Sequence, residues 1–372
     1  MIELVILLTD EDSRQAIDMK TSISVIREAF AEHGKGKTAS IPRSRMYVRS
    51  NERKEDFWLN VKAGGVQSID FAAIRVDSGL KSLVDERVNL SRKSALVFLY
   101  SVSSGELLAI FHNDYLQKLR VGATTGVATD VLANKDIETV AILGSGRQAR
   151  TNLEAVCMVR KPTTIHAFSP NRDHLRRFCL EMTERLGTEV IPCESPSEAV
   201  KRAEIVTVAT NSKRPVFSLK DLPSSNIHIN SILSSDKFVP GTDIDEAIYS
   251  RANIVVVNSR QQIEIDDQHP LKEMLNGGTG KSVIELGELV ARNVVGRRNP
   301  EDFTLYDNNA GMGIQFAAIC GHIYNEALQR GLGRMWPEEL FDLNVYKTGR
   351  ADIGKSYDIL HPESYSSTLP NS

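Results

Sequence analysis

The feature that most restricts the fold is a six-residue turn, Gly144-Ser145-Gly146-Arg147-Gln148-Ala149, set between an apolar run and an amphipathic stretch. Thr139-Val140-Ala141-Ile142-Leu143 reads as a buried strand, and apolar positions recur at helical spacing from about Arg147 to Val159. In such a turn the first glycine permits the bend, and the second lets the main chain approach a pyrophosphate. The small third residue, Ala149, lets helix and strand pack closely. The helix start offers free N–H groups and a positive dipole end to the phosphates. A dinucleotide-binding sheet is the expectation.

The flanking sequence agrees. Thr164 to Phe168 reads as a second strand and Arg172 to Leu186 as a second helix. Buried runs follow at Glu189 to Pro192, Ile205 to Ala209, Ile227 to Ile232 and Asn253 to Val257. Six strands alternating with helices predict a doubly wound parallel sheet of the Rossmann type, an α/β fold. The first 120 residues differ, with a helix around Thr21 to His33 and strand-like pieces at Arg45 to Val48, Phe71 to Val76, Ala95 to Ser101 and Leu107 to His112. Polar turns between them predict a second, mostly antiparallel α+β domain, to which the apolar helical stretch Gly311 to Gly331 returns. The expected division is 1–122 plus 318–350, then 123–317 for the dinucleotide, with 351–372 an irregular C-terminal tail. Two domains suit 372 residues, because a single core stops growing at roughly 250–300.

Composition narrows the partners. Lys plus Arg number 45 against 48 for Asp plus Glu, a net charge of -3 that gives no reason to expect nucleic acid or an anionic membrane. Cys157, Cys179, Cys193 and Cys320 form no CxxC pair, so no metal site and no disulfide framework are expected. The apolar run Leu4 to Leu8 is too short to span a bilayer, and Asp10, Glu11 and Asp12 follow where a signal peptide has small residues. A cytoplasmic protein acting on a small molecule is the expectation.

An NAD-preferring site usually has a carboxylate at the end of the second strand, where it accepts from the ribose hydroxyls. This chain reads Phe168-Ser169-Pro170-Asn171-Arg172. With Ser169 and Asn171 there instead, Arg172 either binds a 2′-phosphate through its guanidinium fork or is a solvated first-turn residue. NADP(H) is thereby favoured, with NAD(H) possible. Thr210, Asn211 and Ser212, with Ser231 on the next strand end, occupy the rim where the nicotinamide half binds; a plain polar turn is the other reading.

Several segments together resemble the ornithine cyclodeaminase and mu-crystallin family: Tyr115-Leu116-Gln117-Lys118-Leu119-Arg120-Val121-Gly122-Ala123, the glycine turn through Arg150, Ala203 to Ser212, and His228-Ile229-Asn230. The resemblance runs from about Leu7 to Gly331. It implies a homodimer whose first domain handles both dimerisation and substrate. It implies hydride transfer between nicotinamide and the α-carbon of an amino or imino acid, as an imine reductase or amino-acid dehydrogenase. Two alternatives come with it: a cyclodeaminase acting on a diamino acid with retained NAD, and a non-catalytic NADPH-binding protein.

In this family basic residues of the first domain hold the substrate carboxylate. Arg120 falls on one of them, and either Arg43 or Arg45 on another, with strand alternation favouring Arg45. The third, a lysine in the family, falls on Arg75, which clamps but cannot exchange protons. Proton transfer is then expected from water or from a nearby carboxylate, Asp114 or Asp77, with Asp114 favoured because it precedes the Arg120 segment. The position of the cyclodeaminase aspartate falls on Ser235, with Asp236 one residue beyond, which argues against that activity. Gly311 and Gly313 match the turn that approaches the nicotinamide, or else pack the returning helix.

Overall fold

Strands with one polar and one apolar face build the first sheet, and strands apolar on both faces build the second. The computed structural model describes residues 4–49, 51, 55–84, 87–233, 241–277, 282–292 and 296–337. Ser235, Asp236 and the 351–372 tail lie outside these residues.

The chain opens with β1 (Leu4–Leu8), α1 (Asp10–Ala16) and α2 (Met19–Gly34). Asp18 caps α2 by accepting from the Thr21 N–H at 2.7 Å, and Met19, Ile23, Ile26 and Phe30 form its buried stripe. Four long strands and a shorter one follow, in part as hairpins: β2 (Thr38–Arg49), β3 (Glu55–Val66), β4 (Phe71–Val84), β5 (Arg87–Ser101) and β6 (Leu107–His112). With β15 (Arg334–Pro337) they form a seven-stranded sheet in the order β15-β1-β6-β5-β4-β3-β2, antiparallel except where β1 meets β6.

Helix α3 (Asp114–Leu132) carries the chain to the second sheet. There run β7 (Thr139–Leu143), α4 (Arg147–Val159), β8 (Thr164–Phe168), α5 (Arg172–Leu186), β9 (Val190–Pro192), α6 (Pro196–Val200), β10 (Ile205–Val208) and β11 (Ile227–Ser231). Next come α7 (Glu246–Arg251), β12 (Ile254–Val257), α8 (Arg260–Asp266), α9 (Leu271–Leu275), β13 (Val283–Glu285), α10 (Leu286–Arg292) and β14 (Phe303–Asp307). All eight strands are parallel, in the order β13-β12-β14-β11-β10-β7-β8-β9. The order reverses at β7, so a crevice opens between the ends of β7 and β10, where ligands of open α/β sheets bind.

Ala149, Leu153 and Val156 seat α4 on this sheet, each fully buried; burial of Leu153 or Val156 contributes about 1.5–3 kcal/mol. Two strands exceed the six expected. Val283–Glu285 has three residues, too few to show a period, and Phe303–Asp307 reads in sequence as the approach to a turn. From β14 the chain returns to the first sheet through α11 (Gly313–Arg330), whose first turn lies on β3. A Cβ on Gly313 would stand 1.9 Å from the Ala63 carbonyl carbon, so only glycine allows that approach. Among the described residues no helix is long and apolar enough to cross a membrane.

Candidate active site

The phosphate turn is built as its sequence requires. Gly144 sits at φ +110°, its N–H donates to the Phe168 carbonyl at 2.8 Å, and a Cβ there would meet the Ala209 carbonyl oxygen at 2.3 Å. Gly146 is the N-cap of α4 and has no side chain to occupy the free N–H groups behind it, while a Cβ there would meet nothing within 4 Å. Ala149 is buried beneath the turn, and the buried Gln148 Oε1 has no hydrogen-bond partner among the described residues. Arg150 donates to the Ser145 and Gly146 carbonyls at 2.7 and 3.1 Å and pairs with Glu181, which stiffens the loop. Open N–H groups and an unoccupied acceptor fit a dinucleotide pyrophosphate and its ribose.

At the adenosine end Ser145 donates to Ser169 at 3.0 Å, and Asn171 caps α5 by accepting from the His174 N–H. Arg172 is engaged: it donates to the Cys193 and Glu194 carbonyls at 3.0 Å and to the Glu194 carboxylate at 2.5 Å. The Arg172 guanidinium is therefore held by the segment after β9.

At the other end Thr210 donates to Asp243 at 2.7 Å, and Ser231 lies 3.5 Å from the same carboxylate. Asn211 is exposed, and Ser212 donates to the Arg214 carbonyl. Ser231 and Asp307 are register partners on β11 and β14. Burial pushes the Asp307 carboxyl up to about 7 and Asp243 up to about 6; Tyr249 donates to Asp307 at 2.7 Å. This carboxylate pair had no local motif and was not anticipated.

The cationic part comes from four elements. On the helix-facing side of the first sheet, Lys62 of β3 and Arg75 of β4 are direct cross-strand partners. Both are nearly inaccessible, at 3 and 2 % exposure. Arg120 of α3 donates to Gln315 of α11 at 3.3 Å, and its guanidinium lies 2.8 Å from where a Cβ on Gly311 would be. The Arg75 and Arg120 guanidinium groups each lie 5.8 Å from the Phe316 ring centre, so one aromatic face steadies both. Arg43 enters from a β2 bulge, where the register shifts between Ile41 and Ser44. It is buried against Asp266 and Gln262 of α8.

Lys62, which the sequence reading did not single out, stands directly opposite Arg75. Burial, then the positive charges of Arg75, Arg120 and Arg43, hold the Lys62 amine well below the ordinary lysine value, with Asp77 opposing. Arg75 pairs with Asp77 at 2.8 Å. Of the two arginines left open in the sequence, Arg43 is buried and its charge acts on Lys62, while Arg45 lines the neighbouring cleft. Although partial burial works against it, Lys118 and Arg147 hold Asp114 below the ordinary carboxylate value, at 2.6 and 2.8 Å. Asp114 thus ties α3 to the first turn of α4.

A cleft of about 660 Å³ opens beside the cationic row, lined by Arg45, Asn60, Asp77, Asp114 and Arg147 among others. The site therefore joins a phosphate cradle, a buried carboxylate pair and a cationic row with an easily deprotonated lysine.

The sequence profile of the ornithine cyclodeaminase/mu-crystallin family matches residues 5–331. A Delta(1)-pyrroline-2-carboxylate reductase of Bacillus cereus is 26% identical over 332 residues, covering 88% of this chain and 98% of that protein. An alanine dehydrogenase of Archaeoglobus fulgidus is 25% identical over 338 residues, covering 88% and 97%. Among solved structures, Thermococcus litoralis Delta(1)-pyrroline-2-carboxylate reductase in complex with NADH and L-proline superposes with a TM-score of 0.77 at 26% identity. That match covers 89% of this chain and 99% of the other.

Proposed function

Because the chain belongs to the ornithine cyclodeaminase/mu-crystallin family, we propose that it is a nicotinamide-dependent oxidoreductase acting on the C–N bond of amino or imino acids. When bound, the nicotinamide supplies or accepts the hydride. The relatives that support this are the pyrroline-2-carboxylate reductases and the alanine dehydrogenase.

The observation that carries the reading is Lys62 packed among arginines. Arg120 and Arg75, with Arg43 behind them, neutralise and orient a substrate carboxylate. The Lys62 amine, held low by burial and by those charges, exchanges a proton with the substrate nitrogen. Gly144 to Ala149 cradle the pyrophosphate, Ser145 and Ser169 flank the adenosine ribose, and Thr210 and Ser231 line the nicotinamide end. Asp77 balances Arg75, and Asp114 fixes the cleft wall.

Both NAD(H) and NADP(H) are compatible with the ribose end. As folded, Glu194 suits a 2′-hydroxyl; a 2′-phosphate is accepted when Arg172 exchanges Glu194 for it. A homodimer is supported by exposed Met46, Val48 and Phe57 on β2 and β3, where Val48 faces Phe57 across the strands. Free thiols at all four cysteines suit a cytoplasmic setting.

The test is a screen of 2-keto acids with ammonia or methylamine, read by nicotinamide absorbance with NADH and with NADPH. Ammonia release from diamino acids without net absorbance change would point to the cyclodeaminase instead. Tight NADPH binding with no turnover would point to a binding protein.

A further inference from the structure

Lys62, Asn60 and Trp58 alternate along β3 and therefore share one face of the sheet. Lys62 belongs to the cationic row, whereas Asn60 and Trp58 line the open cleft beyond it. Both are more than nine-tenths buried, at 7 % exposure each. The Trp58 indole N–H and the Asn60 side-chain oxygen have no hydrogen-bond partner among the described residues. A buried donor and a buried acceptor left open on one wall lose free energy unless a ligand completes them.

We propose that this wall reads the substrate side chain and selects one ending in a primary carboxamide. The proposal rests on the amino/imino-acid reading above and specifies its substrate class. A carboxamide NH2 donates to the Asn60 oxygen while its C=O accepts from the Trp58 N–H. The cleft's charge favours an uncharged terminus, since Asp10, Asp77 and Asp114 face Arg45, Lys93 and Arg147 in equal number. Length agrees as well. Asn60 lies two residues from Lys62, about 6.7 Å along the strand. Four C–C bonds separate the α-carboxyl carbon from the side-chain amide carbon of glutamine, about 5 Å when extended.

The test compares oxidation of L-glutamine, L-norvaline, L-glutamate and L-ornithine with NAD+ and NADP+. Glutamine is expected to exceed norvaline at least tenfold in kcat/KM, and Trp58→Phe, which removes the indole N–H together with its five-membered ring, to cut that ratio about tenfold. Binding has its own readout. The chain has two tryptophans, so in a Trp336→Phe background the emission of Trp58 is expected to shift with glutamine and not with norvaline. Turnover without a glutamine preference, or with glutamate or ornithine preferred, overturns the side-chain assignment and leaves the oxidoreductase reading in place. No turnover with a glutamine-specific emission shift does the reverse. Neither turnover nor shift overturns both.

Discussion

Lys62 and Arg75 face each other across β3 and β4, both buried, and Arg75 is the strongest charge pulling the Lys62 amine below the ordinary lysine value. Like charges so placed destabilise one another until an anion arrives between them. The pair is thus poised for a carboxylate.

Lys62→Met is expected to lower kcat by about 10²–10⁴, the usual worth of a positioned proton-transfer group. Its melting temperature should stay level or rise, because one buried positive charge is gone. In the wild type, amino-acid oxidation should climb with pH along a limb lying below the ordinary lysine range. That limb should vanish in the variant; a variant profile matching wild type would remove Lys62 from the mechanism.

Asp307 provides a stability test. Its folded value is raised to about 7 from 3.8, so the folded state binds the proton more tightly than the unfolded chain. That stabilisation is complete below about pH 4 and is lost as pH rises through 7, a ceiling of about 4 kcal/mol by linkage. Asp307→Asn, which keeps an acceptor for Tyr249, should flatten the decline in melting temperature between pH 5 and 8. Asp243, raised to about 6, supplies the remaining slope.

Gly144→Ala places a Cβ 2.3 Å from the Ala209 carbonyl oxygen at a φ that alanine avoids. Destabilisation of roughly 1–3 kcal/mol is expected from the backbone alone, together with loss of any thermal shift on adding NADH or NADPH. A full cofactor-induced shift in this variant would contradict the phosphate-cradle assignment.

The Arg172–Glu194 contact at 2.5 Å sets cofactor choice in the scheme above. Arg172→Ala should weaken NADPH relative to NADH about tenfold, whereas Glu194→Gln should move the ratio the other way by a similar factor. Ratios unchanged in both variants would show that neither side chain meets the 2′ position.

The phosphate turn was legible in sequence because its strand, glycines and helix are contiguous. Strand β3 was not, and with it Lys62 was missed. Its inward positions Trp58, Asn60 and Lys62 are mostly polar and its outward position Phe57 is exposed. That inverts the pattern from which half-buried strands are recognised, since the inward face is a binding surface. Helix α3 escaped for a different reason: from Leu119 to Thr129 every residue is buried, leaving no polar face to mark a helical period. Asp243, Tyr249 and Asp307 meet only through the parallel pairing of β11 with β14, which no local spacing records.

The chain passes from the first sheet to the second through α3 and returns through the segment before α11, and these two links touch where the Arg120 guanidinium packs on Gly311. A side chain at Gly311 would displace the Arg120 guanidinium, so the one point where the two links meet also sets the spacing of the cationic row.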